Sequence, residues 1–110
     1  MREIKFRAWN KIVKEEMRYN ILNIGNFDKK YWEITEFTGL KDKNGKEIYE
    51  GDIVKAFYEN EEEYGLVFWN KEIAGFDVEG KKWKSVENLY CSWKYYEVIG
   101  NKFENQELLK

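Results

Sequence analysis

The sequence predicts a mainly β fold, a small antiparallel barrel or sandwich with one or two short helical turns. Several short segments alternate apolar and polar residues with the two-residue period of strands that bury one face. Gly, Asn and Asp, which favour turns, separate these segments at close spacing, and the chain contains no proline. No segment between them has the length of a crossover helix, so we expect antiparallel pairing throughout.

A single domain over residues 1–110 is expected from length and composition. The chain has 110 residues, of which 43% are apolar, and it contains 5 Trp, 8 Tyr and 7 Phe. This is enough large apolar surface for a core, and compact domains commonly have about 100 to 150 residues. Because the sequence shows no internal repeat, low-complexity segment or linker, we see no domain boundary.

The N-terminal third predicts three strands, over residues 3–9, 17–21 and 31–38. The first has Ile4, Phe6 and Ala8 on one side and Lys5, Arg7 and Trp9 on the other. This pattern is typical of a strand with one buried face, and the second segment alternates in the same way, so we expect the two to form a hairpin. The third is rich in aromatic and β-branched residues, which favour strands.

The strongest turn signal is Asn44-Gly45, the dipeptide best suited to the positive φ angles of a type I′ turn. It is expected to join two paired segments. The surrounding residues 38–54 could grip a ligand through Lys41, Lys43 and Lys46, but we favour a turn that fixes strand register. Gly51-Asp52 marks a second turn and leads into a strand over residues 53–58.

The rest of the chain predicts an acidic loop and further strands. Residues 59–63 (ENEEE) have no apolar anchor and are expected to project into water as a loop tip. Strands are expected over residues 65–69, over 73–78 with Gly75 inside, and over 95–99. Residues 79–81 predict a turn and residues 105–109 a helical turn, while 82–90 fit a strand edge or the short helix that we favour.

The composition argues against enzymatic chemistry. The chain has no histidine, which excludes nucleophile–histidine pairs, the HExxH zinc site and an imidazole switch. Its lone thiol, Cys91, is expected to be inert, and the adjacent acids of residues 59–63 lack the spacing of a calcium loop. We therefore expect no catalytic residue, no metal, no cofactor and no enzyme activity.

The single cysteine and the short apolar runs of the sequence indicate the cellular compartment. A single cysteine cannot form an intrachain disulfide, and the sequence shows neither a signal-peptide run nor about 20 consecutive apolar residues that could span a bilayer. We expect a cytoplasmic protein that does not associate with membranes.

One segment interleaves cations with aromatic rings and is the candidate binding surface. Its members are Lys82, Trp83, Lys84, Trp93, Lys94 and Tyr95. Single-strand nucleic-acid binders use this combination, because rings stack on bases while lysines follow phosphates. The alternation also arises when a strand has one wet and one buried face, and that is the interpretation we favour. The net charge of −2, from 19 basic and 21 acidic residues, gives no overall attraction for a polyanion.

Three stretches, residues 2–9, 38–54 and 96–105, closely resemble the YopX family of small bacteriophage and prophage proteins. They cover both ends and the middle of the chain. The resemblance implies a predominantly β fold and a phage or prophage setting in a bacterial host, with no established activity and no catalytic residue to carry over. The sequence departs from the family pattern at Gln106, where such proteins often have a proline.

These observations favour a phage or prophage accessory protein that binds a host or phage protein without catalysis. The aromatic content exceeds what a small core can hide, and exposed Trp and Tyr are enriched at protein interfaces. Short β-domains also leave unpaired edge strands, so we expect a homo-oligomer. A small nucleic-acid-binding β-barrel is the alternative.

Overall fold

The computed structural model describes residues 3–21, 24–58, 61–80 and 95–109. Within them, eight strands form two antiparallel four-stranded sheets, and the helical structure is limited to short 3-10 turns. The predicted fold class, mainly β and antiparallel with one or two short helical turns, is confirmed.

The first sheet has the strand order β2-β1-β3-β4 and the second has β7-β6-β5-β8. The first contains β1 (Phe6–Asn10), β2 (Met17–Tyr19), β3 (Trp32–Lys41) and β4 (Glu47–Tyr49). The second contains β5 (Asp52–Tyr58), β6 (Glu61–Asn70), β7 (Gly75–Gly80) and β8 (Glu97–Asn101). The 3-10 turns span Ile24–Asn26 and Gln106–Leu109.

Strand β1 lies in the middle of the first sheet, and this position changes which of its side chains are buried. It pairs with β2 through Ala8 and Arg18, as the predicted hairpin requires, and with β3 through Ala8 and Ile34. Arg7 and Trp9 are buried together with Ala8, whereas Ile4 precedes the strand and is exposed. The expectation of one buried face is therefore wrong, because both faces of this central strand are covered.

The turn between β3 and β4 joins two paired strands as predicted, but its type differs. Positive φ at non-glycine residues of the described chain occurs at Lys14, Asn20 and Ala74 and not at Asn44, while Gly45 has φ 86°. The Gly45 N–H donates to the Asp42 carbonyl (3.0 Å), and Asp42 N–H donates to the Lys46 carbonyl (2.7 Å). This is the three-residue hairpin loop, a type I turn closed by a left-handed glycine, and not a type I′ turn.

The second half of the acidic run forms part of a strand, so the predicted loop tip is wrong there. Residues 61–63 belong to β6, where Glu61 pairs with Tyr58 and Glu63 pairs with Ala56, while Glu59 and Asn60 lie outside the described residues. The Glu63 side chain is buried. The reason is the ladder with β5: its backbone hydrogen bonds and the Lys55–Glu62 ion pair (3.9 Å) hold these acids in an extended chain.

The second sheet carries most of the core and shifts two predicted boundaries. The main cluster comprises Ile48, Val54, Val67, Phe76, Val78, Tyr96 and Val98. Strand β7 starts at Gly75, after an exposed Ile73, and continues through Gly80, so the turn predicted at residues 79–81 is wrong for Glu79 and Gly80. Strand β8 begins at Glu97 rather than Tyr95. The helix predicted within residues 82–90 lies outside the described residues.

The C-terminal helical turn is confirmed, and Asn105 attaches it to the second sheet. The Asn105 carbonyl accepts the Leu108 N–H (3.0 Å), while its side-chain Oδ1 accepts the Asn101 N–H of β8 (3.2 Å). The Asn105 side chain therefore binds the end of a strand. The turn itself packs against β6.

Candidate functional site

The surface predicted from the sequence lies mostly beyond what the structure describes. Lys82, Trp83, Lys84, Trp93 and Lys94 are outside the described residues, so their role as a binding surface stays a prediction. Tyr95 is described, and 65% of it is exposed. Two other features of the described residues are candidate sites, an apolar hairpin tip and a cavity where the two sheets meet.

The hairpin tip, residues 11–16, connects β1 to β2 and exposes two adjacent β-branched residues. Ile12 is 66% exposed and Val13 is 57% exposed. Their backbone N–H groups both donate to the Asn10 side-chain oxygen, at 2.9 and 3.0 Å. The Asn side chain thus holds the backbone in a turn that presents both apolar side chains to water.

Further hydrogen bonds fix this tip. The Lys14 N–H donates to the Asn10 carbonyl (3.0 Å), and Lys14 has φ 62°. The Asn10 N–H donates to the Glu16 carbonyl (3.0 Å), and the Lys11 N–H donates to the carbonyl of Tyr31, which immediately precedes the neighbouring β3 (2.8 Å). The tip is therefore preorganised, which reduces the entropy lost when a partner binds it.

A groove beside the tip extends this surface. Its volume is about 350 Å³, and its lining includes Lys14 of the tip together with Trp9, Phe103, Glu104, Gln106 and Glu107. The Trp9 and Phe103 rings stack with centroids 5.6 Å apart and an interplanar angle of 22°. We call residues 11–16 and this groove the tip surface, which has an apolar floor and a charged rim.

Where the two sheets meet, a buried ion pair links them. Arg7 of β1 and Asp52 of β5 are each 2% exposed, and Nη1 of Arg7 lies 2.9 Å from Oδ1 of Asp52. The Arg7 Nε–H donates to the Thr35 hydroxyl (3.0 Å), and Nη2 donates to the Glu50 carbonyl (3.1 Å). The guanidinium therefore contacts three parts of the fold: strand β3, the corner that follows β4, and strand β5.

Aromatic rings and backbone groups complete the surroundings of this pair. The Arg7 guanidinium carbon lies 4.8 Å from the Tyr49 ring centroid and 5.9 Å from that of Tyr19. The other Asp52 oxygen, Oδ2, accepts the Tyr49 N–H at 2.7 Å. Cation–π contacts and charge-assisted hydrogen bonds both strengthen in such a water-poor place.

Burial changes the acidity of two groups in this region. It raises the pKa of Asp52 to about 6, against the opposing effects of the Arg7 charge and of the Tyr49 N–H that it accepts. It also raises the pKa of Tyr49 to about 12, with the nearby Glu47 carboxylate acting in the same direction. The Tyr49 phenol is thus neutral at physiological pH, whereas Asp52 titrates close to it.

A cavity of about 350 Å³ lies over this ion pair. It is lined by Arg7, Tyr19, Lys46, Glu47, Tyr49, Asp52, Val98, Gly100, Asn101, Glu104 and Asn105. We call it the seam cavity, because its lining comes from both sheets and from the segment after β8. Close approach at this seam depends on glycine: a Cβ at Gly100 would lie 2.4 Å from Asn105 Oδ1.

Among the described residues, the buried acidic side chains serve the fold. No three Cys, Asp or Glu side chains of those residues come close enough together to hold an ion. Asp42 serves the fold instead, since its Oδ1 accepts the Asn44 and Lys46 N–H groups (both 2.9 Å) and its Oδ2 accepts the Val98 N–H of β8 (2.8 Å).

The helical turns of the described residues are all too short to cross a membrane.

Neither candidate site was predicted from the sequence. At the tip, the adjacent apolar residues Ile12 and Val13 between charged neighbours were the available signal, but the segment reads as an ordinary polar turn. For the seam cavity, no local signal exists, because Arg7 and Asp52 come from different sheets and meet only when the sheets pack. Lys46, considered in the sequence as one member of a ligand-gripping loop, does line this cavity.

Comparisons with known proteins point to one family. A family model described as YopX protein matches residues 14–110. The crystal structure of protein EF1440 from Enterococcus faecalis is similar to this chain, with a TM-score of 0.71 and 26% sequence identity over 100% of both chains. No curated protein matches the sequence significantly.

Proposed function

The chain belongs to the YopX family, and we propose that it is a phage or prophage accessory protein that binds another protein without catalysing a reaction. The resemblance found in the sequence is thereby confirmed at the level of the family. The proposed partner is a host or phage protein, and the proposed compartment is the cytoplasm of the bacterial host.

The observation that carries the proposal is the tip surface. Two adjacent β-branched side chains point into water from a turn fixed by Asn10, an arrangement that gains nothing for the isolated chain. Because only part of each side chain is exposed, covering that part completely would contribute about 1 to 2 kcal/mol for each residue. A preorganised apolar tip flanked by charges is the anatomy of an interface core with a polar rim.

Non-catalytic action is supported by what the buried acids do. Asp42 and Asp52 direct their carboxylates to backbone N–H groups and to Arg7, and Asp77 accepts the Val78 N–H (2.8 Å) and the Asn70 amide (3.1 Å). These contacts link strands and turns. They leave the acids engaged in the fold, whereas acid–base catalysis needs carboxylates directed at a substrate.

The test is an affinity capture with matched variants. The wild-type protein, an Ile12→Ser/Val13→Ser variant and an Ile73→Ser control would be immobilised and exposed to lysate of the bacterial host, with and without nuclease. Ile73 is an exposed β-branched residue on a different hairpin, so it controls for general surface hydrophobicity. We expect the same protein to be retained by wild type and control and lost from the tip variant, regardless of nuclease.

Two results would contradict this proposal. Retention that disappears with nuclease would favour the nucleic-acid alternative. Equal retention by the wild type and both variants would show that the tip surface is not part of the interaction.

If a protein is retained as expected, it is purified, and its affinity for the wild type is compared with its affinity for the tip variant. We expect the tip variant to bind at least tenfold more weakly, since hot-spot truncation costs about 2 kcal/mol.

A further inference from the structure

Arg7 has more hydrogen-bond donors than the described residues accept. A guanidinium has five N–H groups, and the contacts of Arg7 are one to Thr35, one to Glu50 and one to Asp52. Two N–H groups therefore have no acceptor among the described residues, although the side chain is 2% exposed. Buried donors without an acceptor are rare and cost about 1 to 3 kcal/mol each, so the position calls for a further acceptor.

Other donors line the same seam cavity. The Lys46 ammonium has no ion-pair partner in the part of the chain that the structure describes, and the Tyr19 hydroxyl and Asn105 Nδ2 have no acceptor there either. These groups come from a hairpin turn, an edge strand and the C-terminal segment. The fold thus brings donors from separate elements to one cavity.

The acceptors of the cavity, by contrast, are already engaged. Asp52 accepts from Arg7 and Tyr49, and Glu47 forms an ion pair with Lys5. Glu104 accepts the Asn101 amide N–H at 2.9 Å. The lining therefore offers unused donors to a ligand and few unused acceptors, which favours a ligand that brings oxygen atoms.

We propose that the seam cavity binds a single carboxylate group, placed against Arg7 and Lys46 with the Tyr19 and Tyr49 rings as its apolar wall. The two remaining N–H groups of Arg7, one on Nη1 and one on Nη2, are donors for carboxylate oxygens, and the Lys46 ammonium adds a second positive charge. A doubly charged phosphate fits less well, because Asp52 neutralises Arg7 and the carboxylates of Glu47 and Glu104 also line the cavity. The volume of about 350 Å³ suits a group the size of one residue.

Two sources could supply this carboxylate, the C-terminus of a peptide or an acidic side chain. Carboxylate binding in the seam cavity is independent of the proposed protein binding at the tip surface, because the two are lined by different residues, Glu104 excepted. Each can fail without the other.

The experiment is a backbone NMR titration of the full chain. The probes are N-acetyl-L-alanine for a C-terminal carboxylate, N-acetyl-L-aspartic acid α-amide for a side-chain carboxylate, and N-acetyl-L-alanine amide as the neutral control. We expect saturable shifts of the Gly100 and Asn101 amides and of the Arg7 Nε–H with at least one carboxylate probe, and none with the neutral amide. The probe that saturates at lower concentration identifies the source.

Variants distinguish this site from general attraction of anions. Arg7→Met removes the principal donor but can also disturb the fold, so the decisive change is Lys46→Gln, in an exposed turn. The Lys46→Gln change should weaken binding of the carboxylate probe about tenfold, since one hydrogen bond to a charged group contributes roughly a factor of ten to affinity. Lys43→Gln in the same turn does not line the cavity and should leave affinity unchanged. Equal shifts with the neutral amide, no saturation with either carboxylate, or equal losses in the two lysine variants would overturn the proposal.

Discussion

The Asp52 carboxylate on β5 lies 2.9 Å from the Arg7 guanidinium on β1, and this buried pair joins the first sheet to the second. Each residue also binds a backbone group next to the corner where the chain crosses between sheets: Arg7 reaches the Glu50 carbonyl and Asp52 the Tyr49 N–H. The pair therefore fixes the corner and the sheets together. Its removal should affect the whole fold.

The first prediction concerns the strength of this link. We expect Arg7→Met to lower the free energy of unfolding by about 3 to 5 kcal/mol at pH 7, because it leaves the buried Asp52 without its cation. Urea unfolding measures the change. The control is Lys102→Met, which breaks an ion pair of similar length, 2.9 Å to Glu33, whose side chains are partly exposed (37% and 41%). Such pairs contribute less than about 1 kcal/mol, so comparable losses in both variants would contradict the central role of the seam.

The second prediction concerns pH. Burial raises the pKa of Asp52 from 3.8 to about 6, so between these values the folded chain binds more protons at this site than the unfolded chain. Stability contributed by this group is therefore present below about pH 4 and is lost as pH rises through 6. The effect is isolated by subtracting the unfolding free energy of the Asp52→Asn variant from that of the wild type, and this difference should fall by about 2 kcal/mol from pH 4 to pH 7. A difference that rises with pH would contradict the raised pKa of Asp52.

The third prediction concerns close packing between β6 and β7. A Cβ at Gly65 would lie 2.5 Å from Cγ1 of the buried Val78, whereas a Cβ at Gly75 would meet nothing nearer than 3.7 Å. We expect Gly65→Ala to destabilise by about 1 to 3 kcal/mol, as overpacking does. Gly75→Ala makes the same chemical change in the neighbouring strand and should be close to neutral in thermal unfolding. Equal effects of both would show that the packing adjusts freely at Gly65.

These features show what the sequence could and could not predict. The hairpins around residues 10–16 and 42–46 follow from local alternation and turn residues, and both were predicted because the determining residues are neighbours. The strand over residues 65–69 was predicted, but the first residues of β6, including Glu61 and Glu63, were assigned to a loop, because their extended form depends on pairing with Tyr58 and Ala56 across a turn. Likewise, Arg7 on an apparently polar face gave no sign of burial, since Asp52 reaches it only through the packing of two sheets.

The fourth prediction concerns self-association. We expect at least a dimer at micromolar concentration, because in the described residues β2 is an edge strand with an exposed Tyr19 and the tip surface leaves apolar side chains in water. Multi-angle light scattering measures the mass. Ile12→Ser/Val13→Ser tests whether the tip forms the contact, with Ile73→Ser as the matched control. A mass of 13.4 kDa for the wild type would show a monomer and would count against this expectation.

The last prediction concerns nucleic acid, the alternative partner. The cations that could follow a phosphate backbone are Lys81, Lys82, Lys84 and Lys94, and they supply at most four contacts. Non-specific binding by so few contacts is not much tighter than about 0.1 mM at physiological salt, and the net charge of −2 opposes encounter with a polyanion. The acidic residues 61–63 add to this opposition, because β6 holds them in an extended strand with Glu62 exposed. We therefore expect a fluorescence titration with labelled single strands to show no micromolar binding at physiological salt. Micromolar affinity that falls steeply as salt rises, and that is lost when these four lysines are changed to glutamate, would establish the lysine–aromatic segment as the functional surface instead.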